Sequence, residues 1–300
     1  LIAKDHAYAS EGHVLFHVPS DPEYGSLSER SLEDMIDGAR VEVAGYKRDP
    51  KDFVLWKPST EDQPGWNSPW GRGRPGWHIE CSAMVKKHLG DTIDIHGGGS
   101  DLTFPHHENE AAQSRCANSD PGYVRYWLHN GMLTLGTEKM SKSVGNVLTI
   151  RGLLEKHSSE VLRYALLSGQ YRSSLIWSDD LLAQARASLD SLYQGLRDAD
   201  DTTALTSTDM AKLASEEFPQ NVVNALCDDL NTPKALAAMH ELAADMRRAT
   251  NEAAKAAARK QLLAGGWLLG LLYQNAEDYF TQGQPGDSAA PTADAIEALI

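Results

Sequence analysis

The sequence predicts an α/β protein whose first half carries a nucleotide-binding parallel sheet and whose second half is an α-helical bundle. Three observations predict it. A strand-like run, Thr92–His96, passes through Gly97-Gly98-Gly99 towards a helix opened by Pro105. A second strand-like run, Tyr126–His129, precedes a polar loop from Gly131 to Ser143. From about Ile150 onward, apolar residues recur at three- and four-residue spacing.

In chain order, residues 12–18 alternate, with Val14, Phe16 and Val18 on one side, as in a half-buried strand. Asp52–Lys57 reads as a short buried strand and leads into a turn-rich loop, Pro58 to Pro75, dense in Gly, Pro and Trp. A helix is expected from near Gly76 to Gly90, where glycine suits the left-handed position after a helix end. The helical segments expected later are Leu181–Ala199, Asp209–Leu230, Thr232–Asn251 and Ala253–Phe280; Leu236, Met239, Leu242 and Met246 form one core stripe. Gly283–Asp287 reads as a linker, and Ala293–Ile300 as the start of another helix. Leu1 falls at what reads as a helix end and Ile300 inside a helical pattern, so both ends are expected to be cut.

Composition narrows the class. With 41% hydrophobic and 23% charged residues the chain is an ordinary globular protein, without an apolar run near the ~20 residues of a membrane span. Three widely spaced cysteines, Cys81, Cys116 and Cys227, argue against a disulfide framework and for a reducing, cytoplasmic setting. The net charge of −14 lacks the basic footprint usual in nucleic-acid binders, so any RNA contact must use a local patch or a part outside this chain.

Four stretches carry the chemistry: Gly76–Cys81, Asp94–Leu102, Phe104–Glu110 and Lys139–Ser143. His106 and Glu110 are four apart, which on a helix puts both on one face. Cys81 lies near a helix start, where the dipole favours thiolate. A thiolate, an imidazole and a carboxylate together suit zinc. By spacing alone the alternatives stay open: a solvated ion-pair face for His106 and Glu110, a core position for Cys81, and His107 or Glu108 as competing donors on other faces. The glycine triplet lets a ligand approach the backbone, and Asp101 beyond it could accept from a ribose hydroxyl or an amine; an ordinary tight turn is the alternative. Lys139-Met140-Ser141-Lys142-Ser143 is the sharpest signal. Two lysines with interleaved hydroxyls on a loop can follow a triphosphate as charge builds on departing pyrophosphate.

Taken together, these stretches resemble the class I cysteinyl-tRNA synthetases, over practically the whole chain. Asp52–Pro58, Ser158–Tyr164, Gly169–Ser173 and Asp228–Pro233 add to the resemblance. It implies an incomplete Rossmann-like class I synthetase catalytic domain followed by the helical bundle. Residues 1–50 would be a connective insertion, 51–150 the second half of the catalytic domain, 151–282 the bundle facing tRNA, and 283–300 a linker and the start of a truncated tail. It also implies ligation of L-cysteine to tRNA(Cys) through cysteinyl-adenylate, with ATP and Mg²⁺, by a monomer holding one Zn²⁺. Cys81, His106 and Glu110 match three zinc ligands; the fourth, a cysteine, would lie upstream of Leu1 with the family's His-Ile-Gly-His signature. Trp77 would wall the amino-acid pocket, and His96 would touch the substrate or support a ligand. Asp101 would anchor an amine or ribose, and Lys142, supported by Lys139, would meet ATP. His129 to Met132 would pass near adenine, and Arg163 and Arg172 could touch RNA or be paired within the protein. The alternatives are a cysteine ligase of mycothiol biosynthesis and an inactive relic that at most binds zinc or RNA.

Overall fold

The computed structural model describes residues 1–31, 44–118, 122–136, 148–199 and 218–281, and the backbone of 138–139. The chain divides into two compact units, Leu1–Asn130 and Gly131–Ile300.

In the first unit, β1 (Ala7–Ser10), β2 (His13–Phe16), β3 (Phe53–Pro58) and β4 (Gly73–Pro75) form an antiparallel sheet in that order. The predicted alternation over 12–18 does not hold. Val14, Leu15 and Phe16 are all buried and Val18 lies in a 3₁₀ turn, because β2 is a central strand covered on both faces. Asp52 fixes the entry to β3. Fully buried, it accepts from the Tyr8 hydroxyl (2.6 Å) and from the amides of Val18 and Asp49 (3.0 Å each), so the buried carboxylate is satisfied.

Helix α1 (Trp77–His88) follows β4 directly and packs on α2 (Glu108–Ala117). Between them lies β5 (Ile93–Gly99), parallel to β6 (Val124–Asn130), with Ile93 opposite Val124, His96 opposite Trp127 and Gly99 opposite Asn130. The parallel pairing is as predicted, but the three glycines continue the ladder instead of ending it. The following helix also starts later than Pro105. Phe104 is extended (φ −134°, ψ 134°), and regular α-helix begins only at Glu108. The core of this unit gathers Ala7, Val14, Phe16, Leu55 and Ala112.

In the second unit, β7 (Leu133–Leu135) pairs antiparallel with β8 (Glu138–Lys139) and parallel with β9 (Leu175–Trp177). These pairings draw Gly131–Leu135 into this unit, so the division falls ahead of the change of pattern at Ile150. The described helices are α3 (Ile150–Leu154), α4 (Ser159–Leu167), α5 (Asp179–Arg197), α6 (Gln220–Cys227), α7 (Thr232–Arg248), α8 (Glu252–Leu269) and α9 (Ala276–Thr281). Ser158, Ser178, Asn231 and Asn251 cap four of them by accepting from an amide of the first turn. Leu236, Met239 and Met246 are buried and Leu242 packs at the edge of the same core. The helix expected over 253–280 is two helices, because Gly270 takes the left-handed conformation (φ 68°, ψ 35°) and stops α8. The expected start of the 209–230 helix and the whole 283–300 segment lie outside the described residues.

Candidate functional site: a histidine-rich cluster around Cys81 and Glu110

The chemistry-bearing residues of the first unit converge from α1, β5, β6 and the start of α2. The first turn of α2 is polar yet buried: Glu108 is fully inside, and Asn109 and Glu110 nearly so. Acidic side chains suit the positive end of a helix, and two of the three have partners. Glu108 accepts from the Ser28 amide (2.9 Å), and Asn109 accepts from the Tyr24 hydroxyl (2.5 Å).

Glu108 Oε1 and Glu110 Oε2 are both buried without a hydrogen bond, and Glu110 is the one that faces the Cys81 thiol. Burial pushes its carboxyl up to about 7, opposed by interaction with the Cys81 thiol. Cys81 is pushed up in turn, first by burial and then by the Glu110 charge. This reverses the thiolate expected from the helix start: without a cation, desolvation and a neighbouring carboxylate outweigh the dipole. His96 Nε2 lies 3.6 Å from Glu110 Oε2. Burial lowers His96, so at neutral pH this is a polar contact of a neutral ring and not a salt bridge. His96 Nδ1 and His78 Nδ1 are further buried atoms without a partner.

Of the three predicted metal donors, the structure brings Cys81 and Glu110 together. His106 sits against His78 and Trp77 of α1, with ring centroids 5.1 Å and 5.6 Å away. Among the described residues no three His, Cys, Asp or Glu side chains are arranged to hold a metal ion. His106 lies in the wide turn between extended Phe104 and regular α2, four residues before Glu110. The donor chemistry nonetheless fits a cation at the Cys81–Glu110 pair, where a buried carboxylate oxygen lacks any partner.

The structure adds a pairing that the sequence did not show, between His107 and His129. His107, buried, has Nδ1 2.8 Å from His129 Nε2. Burial, then the neighbouring histidines, lowers His107 to about 4, so its ring is neutral at neutral pH, and the tautomers decide which of the two nitrogens donates. His96 and His129 both stack on Trp127, at 4.8 Å and 6.0 Å. The available signal was period two: Trp127 and His129 share one face of β6, and the parallel ladder sets His96 beside Trp127.

Trp77 is 74% exposed and touches His106, so it offers a free aromatic face at the edge of the cluster. Asp101 lies in a 3₁₀ turn and its Oδ1 covers Gly99, where an added Cβ would stand 2.5 Å away. In the second unit the backbone of Lys139 lies in β8 opposite Thr134. Lys142 lies outside the described residues. Among the described residues no helix is long and apolar enough to cross a membrane.

Comparison with known proteins agrees with this architecture. The family described as tRNA synthetases class I (C) catalytic domain matches residues 1–187, and the DALR domain matches residues 221–274. Curated relatives called cysteine--tRNA ligase include one from Parvibaculum lavamentivorans, 56% identical over all of this chain, and one from Xanthomonas campestris, 56% identical over 96% of it. The chain spans about 62% of the length of the first of these relatives and 61% of the second. Among solved structures, a Mycobacterium tuberculosis methionyl-tRNA synthetase in complex with methionyl-adenylate aligns at TM-score 0.51 and 15% identity, covering 96% of this chain and 65% of that one. A putative arginyl-tRNA synthetase from Campylobacter jejuni aligns at TM-score 0.51 and 16% identity, covering 91% and 60%. At those identities the likeness shows the fold alone. With the catalytic-domain family covering the first 187 residues and the DALR domain following it, this chain belongs to the class I tRNA synthetases of the cysteine (C) type.

Proposed function

We propose that this chain carries the amino-acid-selecting cluster and the lysine hairpin of an enzyme that joins L-cysteine to tRNA(Cys). The observation that carries the reading is the buried, partnerless Glu110 oxygen beside the Cys81 thiol. Buried polar groups are as a rule hydrogen-bonded, so a carboxylate oxygen without a donor beside a thiol suits a bound cation. Cys81, Glu110 and His106 would hold a zinc ion, which when bound supplies a soft acceptor that prefers the thiolate of cysteine to the hydroxyl of serine. The names of the relatives favour tRNA over an amino sugar as acceptor.

The chain's own groups would then do the following. Trp77 walls the amino-acid pocket with its free face. His96, kept neutral by burial, orients the Glu110 carboxyl or meets the substrate. Asp101 accepts from the substrate amine or a ribose hydroxyl. Lys139 and Lys142 face the phosphates of Mg²⁺-bound ATP while the cysteine carboxylate attacks the α-phosphorus and pyrophosphate leaves. The 3′-terminal hydroxyl of tRNA then attacks the adenylate carbonyl and AMP departs. No general base is needed for the first step, which depends on positioning and charge stabilisation.

The test is Cys81→Ala in the full-length protein, with metal analysis and cysteine-dependent ATP–pyrophosphate exchange measured side by side. Loss of zinc together with loss of exchange is expected. Retention of both would overturn the assignment.

A further inference from the structure

Two motifs that the site leaves unused, Gly169–Ser173 and Asp228–Pro233, meet in the second unit. The turn between α6 and α7 holds Asp229 and Leu230 in consecutive left-handed conformations (φ 51° and 52°). Two adjacent non-glycine residues persist there only where their surroundings over-determine them. The surroundings are visible. The Asp229 carboxylate accepts from Arg172 Nε (2.7 Å) and Nη2 (3.0 Å), from the Tyr171 hydroxyl (2.9 Å) and from Gln170 Nε2 (3.4 Å). The Arg172 guanidinium also lies 5.0 Å over the Tyr171 ring, and the Thr232 hydroxyl donates to the Gly169 carbonyl (3.3 Å).

The opposite side of the same segment grips the lysine hairpin. The Tyr171 carbonyl accepts from the Gly131 amide (2.7 Å), and the Leu175 amide donates to the Met132 carbonyl (2.9 Å). A Cβ on Gly131 would overlap the Ser173 carbonyl. β9 then pairs with β7, and β7 with β8, which sets Lys139 opposite Thr134.

We propose that Asp229 is a positioning residue, which fixes Gln170–Arg172 and through them the β7–β8 hairpin that carries Lys139. The inference rests on the reading that this hairpin faces ATP. It couples the turn at the start of the bundle helix α7, through Gln170–Arg172 and β9, to the strand β8 that holds the backbone of Lys139. The Arg172–Asp229 pair is about half exposed on both sides. Exposed pairs add little to global stability, so removing it should loosen the hairpin while the fold persists.

The experiment measures amide hydrogen exchange at Gly131–Leu135 in this chain, for the parent protein, Asp229→Ala and Asp229→Asn. In the full-length protein it measures cysteine-dependent ATP–pyrophosphate exchange for the same variants. In Asp229→Ala, exchange at these amides should be faster by about tenfold at an unchanged unfolding midpoint. The kcat of pyrophosphate exchange should fall by about ten- to a hundredfold with the KM for cysteine unmoved. Asp229→Asn, which keeps an acceptor oxygen, should recover part of both and serves if the alanine variant fails to fold. Unaltered amide exchange would overturn the coupling, and faster amide exchange with undiminished kcat would overturn its role in the reaction. A parent protein without cysteine-dependent exchange would refute the proposed function itself, while the amide measurement would still decide the coupling.

Discussion

Replacing Glu160 by alanine should unfold the helical unit several degrees earlier, and the structure sets the size of the effect. Glu160 sits in the first turn of α4 and is fully buried. Its Oε2 accepts from the Tyr193 hydroxyl (2.8 Å) and from Gln274 Nε2 (2.7 Å), and its Oε1 accepts from the Leu272 amide (2.5 Å). One carboxylate therefore ties α4 to α5 and to the segment between α8 and α9. Alanine strands the Tyr193 hydroxyl and the Leu272 amide, both of residues at most 1% exposed. At about 1–3 kcal/mol for each abandoned donor, less the relief of no longer burying a carboxylate, the net loss is about 3 kcal/mol. For a unit of this size that corresponds to about 6–12 °C in Tm.

The same carboxyl gives a pH signature. Burial raises it above the usual range, against the hydrogen bonds that lower it. A raised carboxyl binds its proton more tightly in the folded state, so this group's contribution to stability is greatest at low pH. It falls as pH rises from the ordinary carboxyl range to the folded value, and is flat above that. Glu160→Gln, which keeps an acceptor oxygen, should cost about 1 kcal/mol and remove this slope. Urea and thermal unfolding followed by circular dichroism across that pH range provide the assay. An alanine variant within about 0.5 kcal/mol of the parent would refute the reasoning, as would a glutamine variant with the original slope.

Gly131→Ala should cost about 1–3 kcal/mol, because its Cβ would overlap the Ser173 carbonyl and force β7 from β9. An unchanged urea midpoint would show that the segment yields freely. Lys142→Ala should slow adenylate formation by about a hundredfold with zinc content unchanged, measured by pyrophosphate exchange and metal analysis on the same sample. An unaltered rate would clear this lysine of the role.

Local pattern was enough for much of this protein. The stripe Leu236, Met239, Met246 marked the buried face of α7, because a period of 3.6 survives whatever the helix packs on. Gly76 to Gly90 bracketed α1 within a residue or two, because its start and stop are fixed by backbone preferences. Gly270 ends α8 while Gly265 and Gly266 stay inside it, so glycine content alone does not mark which position stops the helix. Motif content also pointed to the family, since Gly76–Cys81 and Phe104–Glu110 are specific in each other's company.

Residue types and their spacing thus determined the fold class, most helices and the candidates Cys81, Glu110 and His96. Only the tertiary structure decided which candidates meet. It put Glu110 beside Cys81 and His96, turned His106 to Trp77 and His78, and paired His107 with His129. It also revealed that Asp229 and Arg172, far apart in sequence, share one hydrogen-bonded network. The reason is that spacing fixes a side chain's direction only inside a regular element. These meetings follow from strand register and helix packing, which distant parts of the chain set together.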